Sequence, residues 1–237
     1  MTTMENIKQA ERIQKSIINK LEHRALVWLA LRQPRWVTSD ILTFVGVVGA
    51  FLTGLGFYLT RYSIDWLWLS FAGLVINWYG DSLDGTLARV RNCQRPLYGY
   101  YLDHTVDCIN EAFMFVGAGL SPLVHLDLAL MAFILYLFLT INVSINAHLK
   151  SEFRLTYAKL GPTEFRLLII IANSLLIAFP ALATRTWSIN AIHGELDPLD
   201  PLAVVIVAAL AVIYLCTIIS DAREYAKNDP PQKHNKQ

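Results

Sequence analysis

Charged residues are scarce in this sequence. They make up 16% of its 237 residues, whereas a typical soluble domain carries about 25%. Hydrophobic residues make up 54% of the chain. This shortage of charge excludes an ordinary soluble domain and indicates a protein that exposes much of its surface to lipid.

Cysteine is also rare, and the net charge is small. The three cysteines, Cys93, Cys108 and Cys216, are odd in number and form no CxxC pair, which excludes a disulfide framework and a thiolate zinc site. A net charge of +1 gives no basic excess, so we expect no nucleic-acid partner. The polar N-terminal segment lacks the apolar region of a signal peptide.

Long apolar segments account for most of the chain. A membrane-spanning helix needs about 20 mostly apolar residues, and six segments meet this length. They are residues 40–60, 64–86, 104–124, 126–148, 164–184 and 200–221. The sequence therefore predicts an all-α integral membrane bundle of six transmembrane helices.

Lysine and arginine are concentrated in alternate connections. The N-terminal segment, the second-to-third connection, the fourth-to-fifth connection and the C-terminal tail are basic, whereas the other connections are poor in both residues. Basic connections face the cytoplasm, so both termini are predicted to be cytoplasmic. The membrane would be the inner or plasma membrane in a bacterium and the endoplasmic reticulum in a eukaryote.

The segment before the first span has helical periodicity. Apolar residues recur every three or four positions over residues 4–31, ending with Ala25 and Trp28. This predicts either an amphipathic helix at the cytoplasmic interface or a helix packed on the bundle. The predicted division is an N-terminal helix at 1–35, a catalytic membrane domain at 36–222 and a disordered cytoplasmic tail at 223–237.

The connection between the second and third spans places acidic residues beside lipid. It reads DSLDGTLARVRNCQRPLYGYYLDHTVD, and its four aspartates are Asp81, Asp84, Asp103 and Asp107. Within each pair the residues are three or four positions apart and share a helix face. Because the connection joins two antiparallel helices, the sequence predicts four carboxylates in one pocket at the cytoplasmic boundary.

Four clustered carboxylates repel one another unless they are protonated or bind cations. Hard oxygen ligands without thiolate favour Mg²⁺, Mn²⁺ or Ca²⁺ over zinc, and two such ions clamping a phosphate are a recurring arrangement in phosphoryl transfer. An isolated intramembrane aspartate can instead relay protons or bind another helix. An ion- or proton-coupled transporter is therefore the alternative function.

Small residues lie beside these aspartates. Gly85, Ala88 and Gly99 leave room for a ligand to approach the backbone, and Arg89 offers a planar pair of donors to a phosphate. The neighbouring Arg91 is interpreted, like Arg95, as a surface charge that sets membrane orientation.

The pattern D-x2-D-G-x2-A-R, nine residues, G-x3-D-x3-D runs from Asp81 to Asp107. At every fixed position it resembles the signature of the CDP-alcohol phosphotransferase (CDP-alcohol phosphatidyltransferase) family of membrane enzymes. The resemblance implies transfer of a phospho-alcohol group from a CDP-linked donor to an acceptor hydroxyl, with release of CMP. It also implies two divalent cations, Mg²⁺ or Mn²⁺, and, by family likeness, a homodimer.

The resemblance also implies residue roles. The metal ligands would be Asp81, Asp84, Asp103 and Asp107, and Asp107 would also take the acceptor's proton. The CDP part would contact Asp81, Gly85, Ala88, Arg89 and Gly99. A weaker likeness at TSDILTFVG adds Thr43 to the CDP contacts; the alternative for this segment is a helix N-cap at Thr38, Ser39 or Asp40.

Four residues are candidates for the acceptor side: His104, Glu111, His148 and Glu164. The stretch NAHLKSEFRLTYAKLGPTEFR is similar to one in choline/ethanolamine phosphotransferases, where an AH pair precedes a TE pair. His104 matches the DH pair of that branch, and Glu111 lies four residues beyond Asp107. The alternative is that the charged residues around His148 pair with one another and with lipid headgroups.

The substrates stay open at this level. The donor is CDP-diacylglycerol with a small polar acceptor, or CDP-choline or CDP-ethanolamine with diacylglycerol as acceptor. Basic residues near the site would favour a phosphorylated acceptor, and the candidates are Lys150, Arg154 and Arg166. The positive-inside bias alone also predicts basic residues there.

Overall fold

The computed structural model describes residues 11–12, 19–150, 152–153, 162–183, 187–189 and 194–231. Their helices are α1 Asn19–Leu31, α2 Ser39–Leu59, α3 Leu67–Val90, α4 Pro96–Gly119, α5 Leu126–Lys150, α6 Pro162–Ala178, α7 Pro180–Ala183 and α8 Asp200–Asn228, with a 3₁₀ turn at Ile64–Trp66. Short strands β1 Glu11–Arg12 and β2 Glu152–Phe153 pair in parallel, and β3 Trp187–Ile189 pairs antiparallel with β4 Gly194–Leu196.

Each predicted span coincides with a long helix, from α2 to α6 and then α8. Three described segments are long and apolar enough to cross a membrane: Ser39–Leu59, Leu126–Asn146 and Asp200–Asn228. The helices α3 and α4 carry the aspartates, and the apolar part of α6 is the shorter segment Ile169–Ala178. The predicted helical membrane bundle is confirmed, whereas the number of spans stays a prediction.

The central helix of the bundle is α2, which packs against both α3 and α4. A Cβ on Gly49 would lie 2.3 Å from the backbone nitrogen of Asn77 on α3, and one on Gly117 of α4 would lie 2.3 Å from Cα of Gly54. The Asn77 amide also donates to the Gly46 carbonyl over 3.0 Å. These backbone contacts require glycine, and they hold both α3 and α4 closely against α2.

The short helix α1 packs on the bundle through one face. Leu26 and Ala30 are buried in a cluster with Leu83 of α3. Two residues of the predicted apolar stripe, by contrast, are exposed: Ala25 and Trp28, the latter at 53%. The alternative of a helix packed on the bundle therefore describes Asn19–Leu31, and a position at the cytoplasmic interface stays a prediction.

The largest differences from the predicted extents are at two helix ends. The helix α4 begins at Pro96 instead of residue 104, because proline is favoured in the first turn of a helix. The helix α8 continues to Asn228, so residues 223–228 of the predicted disordered tail are helical. Tyr225 in this part donates to Asn146 of α5 over 2.6 Å, and Pro230 lies just beyond the helix end.

The N-terminal prediction also needs correction at two residues. Glu11 and Arg12 form a strand, where the sequence predicted a helix, because their backbone groups pair with Glu152 and Phe153. The other residues of 1–18, and residues 232–237 of the predicted tail, lie outside the described residues.

At the end of the bundle away from the aspartates, Asp200 joins two connections. Its carboxylate accepts hydrogen bonds from the backbone N–H groups of His125 (2.8 Å) and Asp197 (2.6 Å), and it also contacts the His125 ring. The hydrogen bond with Asp200 raises the pKa of His125, and desolvation raises the pKa of Asp197. These bonds tie the α4–α5 connection to the start of α8.

Candidate active site

Three of the four motif aspartates come together between α3 and α4. Asp81, Asp103 and Asp107 each offer a carboxylate oxygen, and these oxygens lie within 4.8 Å of one another. Asp103 and Asp107 are one turn apart on α4, and Asp81 faces them from α3. Because α2 fixes both helices, the cluster follows from the glycine contacts as well as from the motif spacing.

The fourth aspartate, Asp84, is oriented towards α2. Thr43 donates to its Oδ2 over 2.6 Å, the N–H of Gly85 donates to its Oδ1, and Ser39 donates to its backbone carbonyl over 2.9 Å. The charges of Asp81 and Asp103 still act on Asp84. Asp84 therefore lies beside the three-carboxylate group, with donors to both of its oxygens.

The contact of Thr43 was not foreseen from the sequence. Its hydroxyl binds a carboxylate of the motif, whereas the resemblance suggested a nucleotide contact. The N-cap of α2 is Thr38, whose side chain accepts from the N–H of Ile41 over 3.2 Å. The N-cap alternative is thus confirmed at Thr38, and Thr43 orients Asp84.

The small residues of the motif border open space. A Cβ on Gly99 would have no atom within 4 Å, and one on Gly85 would meet only the side chain of Arg89, at 3.5 Å. Arg89 is exposed and donates to Thr86 over 3.0 Å, and Ala88 is partly exposed. This side of the site therefore has room for a ligand.

Arg166 is part of the site, and the sequence did not assign it this contact. It lies in the first part of α6 and donates to Asp81 Oδ2 over 2.6 Å. The two side chains are only 16% and 21% exposed. No spacing rule links residues 85 positions apart, so the sequence indicated only a basic residue near the site.

The two arginines after α3 hold the connections at this end of the bundle together. Arg91 donates to the backbone carbonyls of Gln33 (3.0 Å) and Pro34 (2.8 Å), before α2. Arg95 pairs with Asp40 at the start of α2. Besides the topological role predicted for them, both residues connect the ends of neighbouring helices.

The acceptor-side candidates are described only in part. The His104 ring binds the Tyr100 carbonyl at 2.9 Å and packs on the Tyr100 ring at 4.2 Å. Glu111 has a buried oxygen, Oε2, with no hydrogen-bond partner among the described residues. Four candidates have side chains outside the described part of the structure: His148, Lys150, Arg154 and Glu164.

The donor set fits a hard divalent cation. Asp81, Asp103 and Asp107 supply carboxylate oxygens alone, and such ligands suit Mg²⁺ and Mn²⁺. Unless they are protonated, carboxylates this close to one another need more positive charge than the guanidinium of Arg166 provides. The three carboxylates lie beside the open space at Gly99, so a cation bound to them would lie next to a ligand in that space.

Comparison with known proteins agrees with this geometry. Residues 36–213 match the model of the CDP-alcohol phosphatidyltransferase family. A phosphatidylinositol phosphate synthase from Cutibacterium acnes is 31% identical over 107 residues, which are 42% of this chain and 49% of that protein. An uncharacterized protein from Aquifex aeolicus is 35% identical over 83 residues, 35% of this chain and 39% of that protein.

The chain thus spans about half the length of the first of these relatives and less of the second. The family match covers most of the predicted helices, including every motif residue. It points to a transferase of phospholipid biosynthesis and favours an enzyme over the transporter. The resemblance predicted from the motif is confirmed, and the chain belongs to the CDP-alcohol phosphatidyltransferase family.

Proposed function

We propose that this protein is a metal-dependent transferase that moves a phospho-alcohol group from a CDP-linked donor to an acceptor hydroxyl and releases CMP. The observation that carries the proposal is the cluster of Asp81, Asp103 and Asp107 beside the open space at Gly99. In a chain of this family, such a cluster is suited to bind a pyrophosphate through cations.

Four residues would hold two divalent cations, Mg²⁺ or Mn²⁺: Asp81, Asp84, Asp103 and Asp107. When bound, these cations would neutralise the pyrophosphate and stabilise the CMP leaving group. Thr43 and the Gly85 N–H keep Asp84 in one orientation, so its carboxylate is positioned before any ligand arrives.

Asp107 is the proposed general base. The acceptor oxygen forms a new bond to the donor phosphorus, the pyrophosphate P–O bond breaks, and CMP leaves with the electron pair. Asp107 accepts the proton of the acceptor hydroxyl, which must lie within hydrogen-bond reach. Arg89 would bind the CDP phosphate, and the CDP part would occupy the space beside Gly85, Ala88 and Gly99.

The family and the Cutibacterium relative favour a lipid donor. The names of the family and of this relative both refer to a phosphatidyl group, so we propose CDP-diacylglycerol as the donor and a small polar alcohol as the acceptor. The name of that relative makes inositol phosphate the first acceptor to test. CDP-choline or CDP-ethanolamine with diacylglycerol is the second choice, on the sequence likeness around His148 and Glu164.

The proposed topology has six spans with both termini in the cytoplasm. The aspartates lie near one end of α3 and near the start of α4, which supports a site at the membrane boundary, and we propose that this boundary is the cytoplasmic one. The lipid donor would enter sideways between helices, and the polar acceptor would enter from water. A homodimer in the membrane is proposed on family likeness alone.

Product analysis tests this function. The full chain would be purified into lipid nanodiscs and given isotope-labelled CDP-diacylglycerol with inositol phosphate, glycerol phosphate, inositol or serine. A second series would pair CDP-choline or CDP-ethanolamine with diacylglycerol. A labelled phospholipid that appears with CMP from one pair supports the proposal and names the substrates. CMP without any new phospholipid would indicate hydrolysis and contradict the proposed transfer.

A further inference from the structure

Arg166 brings a fixed positive charge into the aspartate cluster. It reaches from α6 to α3 and donates to Asp81 Oδ2 over 2.6 Å. Both side chains are mostly buried, at 16% and 21% exposure. A charged pair with this little exposure is screened much less than a surface pair. The bond from Arg166 therefore affects how strongly Asp81 binds any other cation.

Arg166 is surrounded by more than one carboxylate. Its charge also acts on Asp107 and on Glu111. Glu111 lies one helical turn beyond Asp107 on α4, and its buried Oε2 has no hydrogen-bond partner among the described residues. A buried carboxylate oxygen without a donor is costly, which makes Glu111 a second acceptor for a nearby guanidinium.

Asp81 cannot serve Arg166 and a divalent cation equally well. A carboxylate between two positive groups holds both only against their mutual repulsion, and a guanidinium binds best when both carboxylate oxygens are available to it. A cation bound by Asp81 would therefore weaken the bond to Arg166. The freed guanidinium needs another anion, because it remains buried.

We propose that Arg166 is a positioning residue that competes with the metal for Asp81, and that Glu111 accepts Arg166 when the metal takes Asp81. The proposal rests on the proposed function, because it requires a divalent cation at Asp81, Asp103 and Asp107. It gives roles to two residues outside the motif. The guanidinium of Arg166 limits the affinity of the site for the metal. Glu111 lowers the free-energy cost of displacing this guanidinium from Asp81.

Mn²⁺ affinity measured by electron paramagnetic resonance tests the proposal without turnover. The full chain in nanodiscs would be titrated with Mn²⁺ as the native protein, Arg166→Gln, Glu111→Gln and the double variant. Arg61→Gln is the matched control, since Arg61 is an exposed arginine that donates to the Leu120 carbonyl over 2.6 Å. Thermal unfolding in EDTA and in saturating Mn²⁺ gives a second readout.

Arg166→Gln removes the competitor, so it is expected to bind Mn²⁺ about tenfold more tightly than the native protein. Glu111→Gln removes the second acceptor and is expected to bind Mn²⁺ about tenfold more weakly. In the double variant Glu111→Gln has no further effect, because no guanidinium needs a partner. Arg166→Gln also lowers the Tm more in EDTA than in Mn²⁺, and Arg61→Gln changes neither affinity nor this difference.

The proposal would be overturned if Glu111→Gln lowered the Mn²⁺ affinity equally in the native protein and in Arg166→Gln. Glu111 would then act on the metal directly. Unchanged or weaker binding in Arg166→Gln would also overturn it. If Arg166→Gln does not fold, unchanged affinity in Glu111→Gln overturns the proposal and weaker affinity supports it. Native protein that binds no Mn²⁺ at all would refute the metal site itself, and the proposed function with it.

Discussion

At the scale of single residues, a substitution at Gly99 distinguishes an effect on ligand binding from an effect on folding stability. A Cβ at this position would have no atom within 4 Å, and alanine is favoured over glycine inside a helix by about 1 kcal/mol. We therefore expect Gly99→Ala to keep or slightly raise the Tm while CMP release falls about tenfold or more, because the methyl group enters the space proposed for CDP. Enzyme assays and thermal unfolding of the same preparation check both parts.

Normal CMP release by Gly99→Ala would show that the open space beside Gly99 is not used by the donor. A lower Tm would contradict the geometry itself. Gly85→Ala is a related variant in which the new methyl meets only the Arg89 side chain, at 3.5 Å, so its stability is also expected to stay near that of the native protein.

Residues of the site differ in how far the sequence reveals them. The aspartates are found because helical spacing places Asp103 and Asp107 on one face. The bond from Thr43 to Asp84 and the bond from Arg166 to Asp81 join helices that are distant in the chain. Only the packing of α2, α3 and α6 brings these partners together, so no local pattern predicts them.

At the scale of helices, the contact between α2 and α3 determines where Asp81 lies. A Cβ on Gly49 would lie 2.3 Å from the nitrogen of Asn77 and 2.8 Å from the carbonyl oxygen of Gly73, and these backbone atoms cannot rotate away. Gly49→Ala should therefore force the helices apart, at a cost of about 1–3 kcal/mol. We expect a clearly lower Tm and reduced CMP release.

Gly99→Ala is the matched control for this prediction, since it makes the same chemical change in open space. Thermal unfolding of the two variants in identical nanodiscs makes the comparison. Equal Tm values for Gly49→Ala and the native protein would mean that α2 and α3 are not in close contact, and the account of how the site is positioned would be wrong.

The helices themselves are largely predictable from hydropathy, and their ends are not. Apolar runs place α2, α5 and α8, because length and composition are sufficient for these. The start of α4 depends on Pro96 and the end of α8 on contacts such as Tyr225 with Asn146. For α1, periodicity indicates an apolar stripe but not that the other face, with Leu26, packs on α3.

At the scale of the whole molecule, His125 gives a pH dependence remote from the active site. Its hydrogen bond with Asp200 raises its pKa, and the charges of Asp200, Asp197 and Asp127 act in the same direction. The stabilisation is therefore complete below the unfolded pKa of about 6.5 and is lost as the pH rises through the higher folded pKa. We expect the Tm to fall over this interval.

His125→Gln is the matched variant, because glutamine keeps a donor and does not titrate. Its Tm should lack the part of the fall that begins near pH 6.5. Measuring the Tm of both proteins from pH 6 to pH 9 checks this. The same fall in both would mean that another group causes it.

The orientation of the whole chain can be tested with its own cysteines. Cys93 is exposed and lies just beyond the end of α3, whereas Cys108 and Cys216 lie within α4 and α8. A membrane-impermeant maleimide should label Cys93 in inside-out vesicles but not in right-side-out vesicles. Cys93→Ser provides the control, and labelling of Cys93 from the outside would contradict the proposed cytoplasmic site.

The most direct test of the account measures CMP release from CDP-diacylglycerol by the native protein, Asp107→Asn and Asp65→Asn, each in Mg²⁺ and in EDTA. Asp65 is the control, because it lies in the 3₁₀ turn at the other end of α3. We predict that EDTA abolishes release and that Asp107→Asn lowers it about 10²–10⁴-fold, while Asp65→Asn matches the native protein. Release that persists in EDTA or in folded Asp107→Asn would contradict the account.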